Sequence, residues 1–140
     1  MVLHLVKMCV GCDSVADLRQ WQENRLLRGE PLIHRTRNMP RRAAEILTGG
    51  SLYWIIKGEI RVRQRILDLA PGVEDEGVRF CRIGLDPVLV ETVGMPHRPM
   101  QGWRYLEAPD APADRAPGSQ DETDQMPAEL VRELKALGLM

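Results

Sequence analysis

Cys9 and Cys12 stand three apart in "MCVGCDS", where an apolar stretch gives way to a polar one. A Cys-x-x-Cys at the exit of a strand and the entrance to a helix can work as a redox dithiol, its thiolate favoured by the helix dipole. It can also supply half of a zinc site, for which Cys81 and one of His4, His34 or His97 would complete four ligands. The surroundings argue against both. No aromatic residue precedes the pair, no second paired motif exists, and Pro40 opens a helix where a thioredoxin-like fold needs a strand. The expectation is a structural corner without metal, cofactor or disulfide. Cys9 and Cys81 would then be small buried apolar residues, with Cys12 near a helix start.

Charge gives a second chemical signal. In "YWIIKGEIRVRQR", a period of two puts Arg61, Arg63 and Arg65 on one face of a strand and Ile60, Val62 and Ile66 on the other. If the strand ran unbroken through Gly58, Tyr53 and Lys57 would join the arginine face. A turn or bulge there would leave the three arginines together. Like charges about 7 Å apart repel unless acidic neighbours or an anion compensate. Arg41 and Arg42 are expected in the first turn of a helix opening at Pro40, where the macrodipole disfavours cations and a phosphate would be welcome. His34, Arg35 and Arg37 lie just upstream. The candidate nucleic-acid contacts are therefore Arg41, Arg42, Tyr53, Lys57, Arg61, Arg63, Arg65 and Trp103, with Tyr53 or Trp103 available to stack on an unpaired base. The competing reading is internal neutralisation by Glu74–Glu76 and by the acidic segment after residue 106.

Catalytic constellations are thin. There is no G-x-S-x-G elbow, "TGGS" lacks the lysine of a phosphate loop, and the histidines have no evident acidic or nucleophilic partners.

The elements that must position these residues follow from periodicity. Residues 2–8 read as a strand, and "DSVADLRQWQENRLLRG" as a helix capped by Asp13 or Ser14 and stopped at Gly29. "PLIHRTR" reads as a short strand and "NMPRRAAEILTGG" as a short helix. Residues 51–85 read as a two- or three-strand antiparallel meander, and "GWRYL" as one more strand after a proline-punctuated excursion. Residues 1–106 form one α+β domain, with an antiparallel sheet of about five strands and two helices. Residues 107–126 form an acidic Pro/Ala-rich linker too polar to bury itself. Residues 127–140 form an amphipathic helix that docks through Leu130, Leu134 and Leu137.

The chain has 140 residues and a net charge of −1. That balance hides a basic half, with 12 Lys+Arg against 6 Asp+Glu in residues 1–66, and an acidic half thereafter. An anionic partner suits the first half. No apolar run is long enough to span a bilayer and no signal peptide opens the chain, so a cytoplasmic protein without a membrane partner is expected.

"LTGGSLYWIIKGEIRVRQRILDL", "RPMQGWRYL" and "MPAELVRELKALGLM" resemble the short bacterial proteins grouped as domain of unknown function family 1489. The resemblance implies a stand-alone cytoplasmic protein and carries over no catalytic residue. The short helix ending in glycines, the "KG" strand and the Arg-rich strand are also similar to small barrels of the PUA-like (ASCH and EVE) class. That likeness implies a basic groove for RNA or a modified base. The function expected is non-catalytic binding of RNA or another polyanion. The alternatives are a small enzyme for a nucleotide-like or phosphorylated substrate, and a protein-interaction module whose charge is neutralised internally.

Overall fold

The computed structural model describes residues 2–115. Of the expected linker at 107–126, residues 116–126 lie outside the described residues, as does the expected C-terminal helix at 127–140. The elements run β1 (Leu3–Met8), α1 (Val15–Leu27), β2 (Ile33–Thr36), α2 (Ala43–Ile46), β3 (Ser51–Ile56), β4 (Glu59–Val73), β5 (Arg79–Pro96) and β6 (Trp103–Glu107). A single 3-10 turn, Ala108–Asp110, follows.

All six strands join one sheet in the order β2-β5-β4-β3-β1-β6. The expected sheet was antiparallel. In the structure β1 pairs with β3 in parallel, and every other neighbour pair is antiparallel, so the sheet is mixed. The cause is the long connection through α1, β2 and α2, which returns the chain beside β1 in the same direction.

Three further sequence expectations change. The excursion expected after residue 85 is strand, because β5 continues to Pro96 along β4. Register shifts between Gln64 and Ile66 leave Asp86–Val88 outside the ladder, so Pro87 costs no hydrogen bond there. The helix expected from Pro40 is only Ala43–Ile46, which puts Arg41 before it and Arg42 at its N-cap. Arg42 is drawn elsewhere: its backbone N–H donates to the Tyr105 hydroxyl at 3.2 Å, and its guanidinium pairs with Glu45 and Glu107. Finally, Cys9 and Cys12 are joined by a disulfide, where free thiols were expected.

Other elements form where their residues dictate. Ser14 caps α1 by accepting the Asp17 backbone N–H at 3.1 Å. Lys57 and Gly58 both take positive φ, 50° and 80°, closing the β3–β4 hairpin as a two-residue turn. Gly50 ends α2 where a Cβ would collide with the carbonyl oxygens of Leu3 and Ile46.

The sheet buries both faces. Leu3, Leu5, Leu52, Trp54, Val62 and Ile83 pack beneath Val15 and Leu18 of α1. Val6, Tyr53, Ile55, Ile60 and Leu106 form a second cluster, joined by Met8, Met95 and Met100. Each fully buried leucine or isoleucine contributes about 1.5–3 kcal/mol. The third buried residue of α1 is polar: Gln22 exchanges two side-chain hydrogen bonds with Gln64, at 2.9 and 2.7 Å. The Trp54 indole also donates to Gln64 Oε1 at 3.1 Å, and Gln64 Nε2 donates to the Asp86 carbonyl at 2.8 Å. This network fixes the helix on the sheet.

Candidate anion-binding groove

β2 and β6 are the two edges of the sheet, yet their ends meet. The Trp103 indole on β6 donates to the Asn38 carbonyl just past β2, at 2.8 Å. The sheet is therefore curled but not closed, because β2 and β6 do not pair. Between them lies a cavity of about 540 Å³, lined by Lys7, Arg35, Thr36, Arg37, Asn38, Gln101, Gly102, Trp103 and Arg104. Four of these side chains are cationic and none is acidic.

The geometry follows from register. Lys7 on β1 lies opposite Trp54 on β3 and Trp103 on β6, a cation flanked by two indoles across three strands. Burial lowers the pKa of Lys7. Trp103 is braced edge-on by Tyr105, with centroids 4.9 Å apart. Arg35 stacks over Phe80 at 4.6 Å and reaches Glu74 only loosely, at 3.8 Å and with both groups exposed. Arg104 is held by main-chain carbonyls, donating to Trp103 O at 3.1 Å. Among the described residues, Lys7, Arg37 and Arg104 have no carboxylate partner. Below the groove, His34 packs edge-on against Trp54 at 5.1 Å. Its pKa is lowered to about 4, first by burial and then by Lys7 and Arg25, so it is neutral at pH 7. A donor-rich, carboxylate-free groove with an aromatic wall can hold a phosphate and a flat ring side by side.

Of the residues expected from sequence, the structure places Trp103 in this groove. The others are dispersed. Tyr53 is 4% exposed, with its ring against His4. Arg63 lies opposite Tyr53 and makes a two-pronged pair with Asp114, both contacts at 2.7 Å, while also donating to Ser51 Oγ at 3.1 Å. Arg61 sits in a bulge. Ile60 and Val62 consequently pack into opposite clusters, and the alternation expected of Arg61, Arg63 and Arg65 is broken. Arg65 is exposed opposite Ser51, Lys57 is exposed in the hairpin turn, and Arg41 is exposed before α2. Arg42 carries its two acidic partners already described, and its pKa is raised by the hydrogen bonds it donates first to Glu45 and then to Glu107.

Lys7 and Arg104 had no signal in the sequence. Each is a lone cation on its own strand, and only the β1–β6 register joins them to Trp103. Arg35 and Arg37 were visible as cations upstream of α2, without an indication that they face β6. No group of three or more His, Cys, Asp or Glu is placed to hold a metal among the described residues. No helix among them is long and apolar enough to cross a membrane.

A family model for proteins of unknown function, DUF1489, matches residues 5–140. The chain belongs to this family. No curated protein and no solved structure matches it significantly. Membership covers the groove strands, β1 after residue 4 through β6, together with the C-terminal residues.

Proposed function

We propose that this DUF1489 protein is a non-catalytic binder of single-stranded nucleic acid, RNA in preference to DNA, and that the groove between β2 and β6 is its contact surface. The observation that carries this reading is the convergence of Lys7, Arg35, Arg37 and Arg104 around Trp103 with no acidic lining. Cations supply phosphate affinity, and an indole face takes an unpaired base whatever its identity. Asn38 and Gln101 at the rim can offer side-chain amides to a base edge.

The test is fluorescence anisotropy with short single-stranded RNA and DNA oligomers at several salt concentrations. Affinity should fall with salt, with a log–log slope near −0.7 for each phosphate contacted. An unlabelled mononucleotide should compete weakly, since it offers one phosphate contact. Absence of binding at low salt, for RNA and DNA alike, would defeat the proposal.

A further inference from the structure

The Cys9–Cys12 bond has a setting that separates it from a structural staple. It closes a ring spanning only three positions. Cross-links stabilise chiefly by restricting the unfolded chain, and the effect shrinks with loop length. Both ends are also fixed without it. Cys9 is 5% exposed in the main core, and its N–H donates to the Ile55 carbonyl at 2.9 Å. Cys12 lies two residues before the capped first turn of α1. The two sulfurs differ in access: Cys12 is half-buried, at the end of a turn whose Val10 is 81% exposed and whose Gly11 has open space beside it. The third cysteine, Cys81, is buried and unpaired.

From this arrangement we infer that Cys9 and Cys12 form a reversible dithiol–disulfide centre that exchanges with thiol reductants at Cys12. The inference is independent of the nucleic-acid reading. An external thiolate attacks Cys12 Sγ, the Cys9–Cys12 bond breaks, and Cys9 leaves with the electron pair and takes a proton from water. A second external thiolate then attacks the outer sulfur of the mixed disulfide. Cys12 is released as a thiolate and protonated, and the two reductant molecules leave as their disulfide. Two electrons and two protons have moved to the protein. Cys12 is the sulfur attacked because it is the less buried of the two, and Cys9 stays in place as the resolving sulfur. The corner opens without unfolding, because the strand ladder and the helix cap hold its ends.

The experiment equilibrates the full-length chain in anaerobic buffers running from fully oxidised to fully reduced glutathione. It quenches with iodoacetamide and maps the modified cysteines by mass spectrometry. Cys9 and Cys12 should pass together from bonded to alkylated within the series, with circular dichroism unchanged and Cys81 unmodified. Cys9→Ser should gain one glutathione at Cys12, whereas Cys12→Ser should leave Cys9 largely unmodified. A pair that stays bonded in fully reduced glutathione until denaturant is added would make the bond a staple and overturn the inference. So would two thiols that alkylate fully in oxidised glutathione, or a Cys9 more reactive than Cys12.

Discussion

Two regions of this sheet carry arginines, and they treat them differently. On the face crossed by residues 108–115, Arg63 is clasped by Asp114 and Ser51. The same segment is bridged to β5 through Asp114 and Thr92. Nearby, Arg115 and Arg19 converge on a buried Glu91. At the seam between β2 and β6, four cations gather with only a loose, exposed contact from Glu74. The difference teaches that cation density in a sequence does not locate an anion site. What matters is whether the fold delivers carboxylates to the same place. The chain's acidic half does so through Glu91, Glu107 and Asp114, which pair with Arg19, Arg115, Arg42 and Arg63, and the carboxylates of the described residues stay clear of the seam lining.

Substitutions in the two regions should have unequal effects. Reversing charge at the seam with Arg37→Glu and Arg104→Glu should abolish oligonucleotide binding at physiological salt, a loss of at least about a thousand-fold. Both side chains lie at the groove rather than in the core, so circular dichroism should be unchanged. Retained affinity would move the site elsewhere on the molecule.

A second substitution asks whether the fold beneath the seam holds its shape. Gln64→Ala strands Gln22, the Trp54 indole and the Asp86 carbonyl, and should cost about 2–4 kcal/mol in denaturant unfolding. A loss below about 1 kcal/mol would show that the network does not fix α1.

Acid should weaken the floor of the seam through His34. Its folded pKa of about 4 lies below the unfolded value of 6.5. Stability from the neutral imidazole is therefore fully present above about pH 6.5 and is lost as pH falls toward 4. The loss should be about 2–3 kcal/mol, and smaller in His34→Gln measured in parallel. His4 is shifted in the same direction, by burial and then by Arg63, so the wild-type minus variant difference is the quantity to read. An identical pH dependence in both proteins would contradict the burial of His34.

The smallest effect belongs to the clasped face. Arg63→Ala should cost about 1 kcal/mol or less, since its pair with Asp114 is partly solvated. It should leave oligonucleotide affinity within about twofold, because a neutralised arginine has little to give a phosphate.

Much of the fold was legible in the sequence. Ser14 and Gly29 bracketed α1, the Lys57–Gly58 pair marked its hairpin, and the aromatic run at 51–56 gave the buried central strand. Proline misled after residue 85, because Pro87 sits in a bulge that local pattern cannot reveal. The parallel β1–β3 pairing was hidden for a different reason: it depends on where a long connection returns. The site was less legible than the fold. Trp103 was found because aromatics are scarce at 4% of the chain. Lys7 and Arg104 were not, since only sheet register places them together. Arg61 was over-read, because the period of two assumes a strand without bulges.

Under the proposed function the unclasped cations at the seam, and not the arginines of β4, hold the anion. Salt-dependent anisotropy on a single-stranded RNA oligomer, comparing wild type with two double variants, decides between the two regions. Arg37→Ala with Arg104→Ala should flatten the log–log salt slope by about 1–2, whereas Arg63→Ala with Arg65→Ala should leave it unchanged. The opposite pattern, a slope flattened by the β4 pair and untouched by the seam pair, would contradict the account.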